Sequence, residues 1–196
     1  MTFRSIACLL GIVAITVAMP GCGTSPASHF YSLDSAASPG NVPSTKAAIL
    51  VGPVTIPDSV DRPEIVIRVA PNRVEVEEFD RWDAPLDDSI ARAVAGDLAI
   101  QLGKATVTSA PLGNFNPDYR VSINVQNFES TRGRSALIDA VWTISKAGGA
   151  SSGRTVARET VNGDSFEALA AAHSRALAKL SDDIAKAIRA QEQPNP

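Results

Sequence analysis

Two runs of alternating apolar residues joined by a Pro-Asn step dominate residues 61–86, DRPEIVIRVAPNRVEVEEFDRWDAPL. Ile65, Ile67 and Val69 alternate with Val66 and Arg68, and Val74 and Val76 alternate with Glu75 and Glu77. Period-two alternation sends successive side chains to opposite faces of a strand. Pro71-Asn72 supplies turn chemistry between the runs. A two-residue loop there predicts a hairpin in which Val69 faces Val74, Ile67 faces Val76 and Arg68 faces Glu75. The apolar pairs then share one face and the ion pair lies on the other, whereas a slip of one residue would turn the valines to water. Arg68–Glu75 is then an exposed cross-strand pair contributing well under ~1 kcal/mol.

The remaining periodicities frame that hairpin. Residues 47–56 (AAILVGPVTI) read as a buried strand bent at Gly52-Pro53. Asp83 is a candidate helix cap and Pro85 suits a first turn. Leu86, Ile90, Val94, Leu98 and Leu102 then recur every four residues up to Gly103, as one stripe of a helix. A short strand follows at 106–109. Tyr119, Val121, Ile123 and Val125 alternate with polar residues, with a phase slip at Asn127-Phe128 that predicts a bulge or strand end. Ile138, Ala140, Trp142 and Ile144 form another alternating run after a turn at 131–134. Residues 146–153 (KAGGASSG) read as a flexible hairpin loop, and 154–161 as a last, polar strand near an edge. Asp164 and Glu167 have capping-box spacing. Phe166, Leu169, His173, Leu177, Leu180, Ile184 and Ile188 then mark a long amphipathic helix. Helices and strands do not alternate as in a doubly wound sheet. The order predicts an α+β two-layer sandwich, its sheet mostly antiparallel and both helices on one face.

Composition narrows the function classes. A net charge of −3 gives no electrostatic case for nucleic acid. The only histidines are His29, in a Ser/Pro-rich stretch, and His173, on an apolar helix stripe where a hydrogen-bonded core-edge histidine is expected. No GxSxG, HExxH or Cys–His cluster occurs, and the glycines of 146–153 fit no phosphate-loop spacing. The reading is a non-enzyme with no catalytic residues, no metal site and no cofactor.

The N-terminus constrains location. Arg4 is followed by an almost wholly apolar run over 5–19, the length of a signal core and short for a membrane span. Pro20-Gly21-Cys22 then resembles the lipobox of bacterial lipoproteins, with Met19 and Pro20 where that pattern usually has Leu and a small residue. The resemblance implies cleavage before Cys22 and acylation of its thiol, which anchors the chain to a membrane through acyl chains. Cys8 leaves with the signal, so no intrachain disulfide remains. Gly23, rather than Asp, implies the periplasmic face of the outer membrane. Residues 23–46 read as a Ser/Pro/Ala/Gly tether. One interruption at 29–33 (HFYSL) is apolar enough to predict a short strand or docked piece.

Taken in order, Cys22, Tyr31-Ser-Leu33, Leu50-Val-Gly-Pro-Val54, Asp61-Arg-Pro-Glu-Ile-Val66, Arg81-Trp82 with Pro85-Leu86, and the closing amphipathic helix are similar to the ABC-type transport auxiliary lipoprotein family, of which the Pqi-type lipoprotein is the best-known member. That family often has Ala-Glu before Pro-Leu, where this chain has Asp83-Ala84. The resemblance implies a partner containing an MCE domain that spans the periplasm, in a system moving lipids or other hydrophobic molecules across the envelope. A stand-alone periplasmic lipid or small-hydrophobe binder is the alternative, and an envelope assembly protein a third reading. A homo-oligomer is compatible with the chain. The resulting organisation is a signal at 1–21, an acylated Cys22 with its tether at 22–46, a domain at 47–190 and a tail at 191–196. Trp82 is expected to pack at the helix mouth. With Arg62 and Arg81, at the base of the hairpin, it is also the expected docking patch.

Overall fold

The computed structural model describes residues 26–39, 44–110 and 113–192. The signal-like segment, Cys22 and residues 193–196 lie outside them. The elements are β1 (His29–Tyr31), β2 (Ala48–Thr55), β3 (Glu64–Ala70), β4 (Arg73–Trp82), α1 (Leu86–Leu102), β5 (Thr106–Thr108), β6 (Tyr119–Thr131), β7 (Ser135–Lys146), β8 (Gly149–Thr160) and α2 (Phe166–Glu192).

The strands form one eight-stranded sheet built around β6. One edge of β6 pairs antiparallel with β7, which pairs antiparallel with β8. The other edge is shared. β2 runs parallel to the first half of β6, and β3 meets it at Ser130. β2 then passes to β5, and β3 to β4 and β1. The three antiparallel ladders are the longest, and the short parallel pairings attach β1, β2 and β5. Helix α1 covers β2 and β5, α2 covers β7 and β8, and the helices pack on each other. This is the expected α+β sandwich. The bend in β2 is a cis Gly52-Pro53 peptide with a register shift between Val51 and Val54.

Every residue of the two predicted helical stripes is buried. Their partners on the sheet are Tyr119, Val121, Ile123, Val125 and Phe128 of β6 and Ile138, Ala140, Trp142 and Ile144 of β7. The phase slip expected in β6 is a bulge between Val125 and Asn127. It returns Phe128 and Ser130 to the buried face. In β8, Gly153 lies opposite Trp142, and a Cβ there would come within 2.2 Å of the indole.

Several local expectations are corrected. The hairpin keeps its two-residue loop, with Ala70 opposite Arg73, but the register shifts at Val69. Arg68 therefore pairs with Val74 and Ile67 with Glu75. Ile65 and Ile67 still enter the core, while Val74 and Val76 are exposed, on the face opposite the helices. The reason is the sheet body: Ile67 is fixed beside Ser130 of β6, and the projecting arm has no helix over it to hold its valines inside. Arg68 bonds Glu129 at 2.6 Å and Glu75 meets Arg73 at 3.5 Å. Residues 146–153 are no loose loop, since Lys146 pairs with Gly149 and only Ala147-Gly148 turns, with Gly148 at φ +90°. Pro85, not Asp83, occupies the cap position of α1, without a side-chain cap, and Asp87 and Asp88 favour the dipole of the first turn. Ser165 caps α2 by accepting from the Ala168 N–H at 3.2 Å. Asp164 is engaged by Arg132, whose Nε donates to the Asp164 carbonyl at 2.7 Å.

The apolar interruption at 29–33 is β1, parallel to β4, and the chain stays docked beyond it. Leu33 is buried. The Asp34 N–H donates to Ser174 Oγ at 3.1 Å, and Ser35 Oγ to the Ala93 carbonyl at 3.3 Å. The Ala36 and Ala37 N–H groups both donate to Asp97 Oδ1, at 2.8 and 2.9 Å. Residues 32–37 thus form a strap across both helices, so the folded unit takes in residues whose composition reads as tether. Gly96 permits it, because a Cβ there would lie 1.9 Å from Ser35 Oγ.

Candidate functional site

The end of β4 and the start of α1 carry the residues singled out in the sequence. Parallel pairing sets Phe30 opposite Arg81 and Tyr31 opposite Trp82. Alternation along β4 then turns Trp82 inward and Arg81 outward.

Trp82 is 4% exposed and lies edge-on to Phe128 and His173, with centroids 6.1 and 6.2 Å away. His173 stacks on Phe128 at 3.9 Å and is fully buried. Its Nε2 is 2.8 Å from Ser130 Oγ, and its Nδ1 has no partner among the described residues. Burial lowers the imidazole pKa to about 3, which keeps the ring neutral at physiological pH. This cluster is core, one step deeper for His173 than the core-edge placement its stripe suggests. Arg81 reaches Glu64 at 3.3 Å and donates from Nε to the Glu78 carbonyl at 3.0 Å. Arg62 is exposed on the preceding turn.

Around this end the surface folds into a cleft of about 470 Å³, whose lining includes Phe30, Arg62, Pro63, Trp82, Pro85 and Leu86. Arg62 and Trp82 both line it, while Arg81 is not part of its lining. Phe30 is the residue sequence reasoning did not assign to the patch, and at 64% exposure it is the most exposed large apolar side chain described. The signal was present in its excess apolarity for a tether. Only the β1–β4 pairing, which is non-local, places it. Next to it the Tyr31 hydroxyl donates to Asp80 at 2.7 Å, and burial together with that carboxylate raises the phenol pKa. His29 lies 3.4 Å from Asp80.

At the opposite end, Thr45, Lys46, Asp118, Tyr119, Lys146 and Glu192 line a larger, open and polar hollow of about 720 Å³. Among the described residues no group of three His, Cys, Asp or Glu side chains is gathered as a metal site. No described helix is long and apolar enough to cross a membrane.

The sequence model of the ABC-type transport auxiliary lipoprotein component matches residues 31–185. No curated protein matches the chain. Crystal structures of other proteins share the fold, two of them at 20% identity. One is of an uncharacterized protein, 20% identical, with TM-score 0.69, covering 83% of this chain and 99% of that one. The other is of a Xanthomonas campestris protein, also 20% identical, with TM-score 0.66 and the same coverage.

Proposed function

The chain belongs to the ABC-type transport auxiliary lipoprotein family, and from that premise we propose that it is a non-catalytic adaptor, held by an acylated Cys22 at the periplasmic face of the outer membrane. There it docks the MCE-domain component of a system moving lipids or other hydrophobic molecules across the envelope. The observation that carries the docking role is the cleft at Phe30, Arg62 and Trp82. It joins an exposed aromatic, an arginine and an apolar floor, the composition of an interface anchor. It also adjoins the start of β1. Six residues lie between Cys22 and His29, a span of seven steps, so the start of β1 stays within roughly 25 Å of the anchor even with the chain fully extended.

A filled interior favours docking over carriage of a lipid inside the domain. Ile49, Val51, Leu98, Ile138, Leu177 and Ile184 close the space between sheet and helices with no exposure at all. A carrier pocket for a lipid-sized molecule would need several hundred cubic ångströms there.

Two measurements test the reading. Cys22→Ala is expected to abolish acyl labelling and release the chain from membranes; persistent labelling would remove the anchor from the proposal. Phe30→Ala and Arg62→Ala, both at exposed side chains, are expected to weaken binding of the purified MCE component about tenfold each, typical of interface anchors. Binding equal to the parent in both variants would exclude this cleft as the dock. Trp82→Ala is the weaker probe, because it also opens the core.

A further inference from the structure

The face of the sheet away from the helices ends in another cleft, of about 290 Å³, between the β3–β4 turn and the β6–β7 turn. Arg68, Arg134 and Arg158 line it, with Glu129, Thr131 and Ser135. The register explains why they meet. Glu129 pairs with Leu137 and Leu137 with Arg158, while Ile67 opposite Ser130 brings Arg68 beside Glu129. Gly133, at φ +64°, turns the chain so that Arg132 reaches Asp164 and the Phe166 ring, leaving Arg134 on the cleft side.

Several arginines elsewhere are matched one to one by carboxylates, among them Arg73 with Glu75, Arg81 with Glu64, Arg154 with Asp139 and Arg175 with Glu159. In this cleft three guanidinium groups and a single carboxylate share the lining, and the carboxylate contacts only one of them. Glu129 is taken by Arg68, whose NH1 also donates to the Pro71 carbonyl at 2.7 Å. Arg158 donates to Ser135 Oγ at 2.9 Å, and the Arg134 side chain has no partner among the described residues. The cleft is therefore strongly positive on a chain whose net charge is −3.

We propose that this cleft binds a phosphate group, either as the free anion or as a phosphodiester head group. The planar guanidinium fork matches phosphate oxygens two at a time, and its charge-assisted bonds are the strong ones. Arg68 is fixed in place by Glu129 and Pro71 and supplies a preset charge. Arg134 and Arg158 are free to close on the anion, and Ser135 adds a hydroxyl that Arg158 already orients. A smaller groove of about 70 Å³ runs on from the cleft, lined by Val60, Val66, Val74 and Phe128 together with Arg68 and Glu129. This site is independent of the docking cleft at Phe30 and goes beyond the adaptor role.

The test is a titration of the full chain in detergent, with inorganic phosphate and with glycerophosphoglycerol, a water-soluble phosphodiester head group. The readout is NMR of the arginine Nε–H signals. Both probes are expected to move the Arg134 and Arg158 signals, and Arg134→Gln/Arg158→Gln is expected to weaken binding at least tenfold. Arg92→Gln/Arg120→Gln removes the same charge at exposed positions elsewhere and is expected to stay within twofold of the parent. Tighter binding of glycerophosphoglycerol assigns a lipid head group as the source, and tighter or equal binding of inorganic phosphate assigns the free anion. Absence of binding by either probe, an unaffected R134Q/R158Q variant, or an equal loss in the distant pair would each overturn the proposal.

Discussion

Leu177→Ala is expected to lower the unfolding free energy by about 2–5 kcal/mol, and Leu98→Ala by a similar amount. Both side chains have no solvent exposure; Leu177 lies near the middle of α2 and Leu98 in the last third of α1, and the two helices pack against each other over the sheet. Truncation removes transfer free energy and leaves a cavity. Neighbours such as Ile49, Val94, Ile138 and Ile184 belong to the same closed core and are pinned by sheet or helix backbone, so the void collapses poorly. Urea unfolding followed by circular dichroism measures the effect as a lower midpoint at unchanged slope. A loss below about 1 kcal/mol in both variants would show that the helix–helix seam is not tightly packed.

Those leucines are legible because a period of four residues over five positions keeps to one side of a helix, whereas a strand would put Asp88, Arg92 and Gly96 on the same face as the leucines. The same clarity fails where local chemistry and the sheet body disagree. In the hairpin, loop length and the valine pattern agree on one register, yet the bulge at Val69 sets another. The placement of Ile67 against β6 is a tertiary demand that no window around Pro71 contains. Residues 146–153 have loop composition, but β7 offers them a complete ladder to join, and two residues suffice for the turn. Asp83 and Asp164 have capping chemistry, and each is displaced by one or two positions because the backbone turns at Pro85 and Ser165 instead. At the docking cleft, Arg62 and Trp82 lie close enough in sequence to be read together. Phe30 reaches them only through a parallel pairing across some fifty residues, and Arg134 joins Arg158 only through the β6–β7–β8 register. Local periodicity reveals which faces are buried; the sites arise from long-range pairings.

Asp97 carries the second large effect. It projects from α1 with no solvent exposure, and no cation pairs with it among the described residues. Burial raises its pKa above the ordinary value near 3.8, against the lowering effect of the Ala37 and Ala36 N–H groups and Ser181. Oδ1 accepts from the Ala36 and Ala37 N–H groups, and Oδ2 accepts from the Ser181 hydroxyl at 3.2 Å, which also lies 2.9 Å from the Leu177 carbonyl. The single Ser181 proton is thus shared between the Leu177 carbonyl and Asp97. Because the folded pKa lies above the unfolded one, the folded chain binds more protons between the two values. The contribution of Asp97 to stability therefore falls as pH rises through that window. Asp139 and Glu159, whose pKa values are lowered chiefly by Arg154 and Lys179, slope the other way, so the comparison must be made against a variant at this site. Asp97→Asn keeps the Oδ1 acceptor and an N–H donor toward Ser181. It is expected to match or exceed the parent at neutral pH and to remove this fall. Asp97→Ala strands the Ala36 and Ala37 N–H groups and is expected to cost about 2–4 kcal/mol. In that variant the Ala36 and Ala37 amides are expected to exchange with solvent rapidly while the mid-helix amides of α2 stay protected. Unchanged protection of the strap would mean that Leu33 and Ser174 hold it without Asp97.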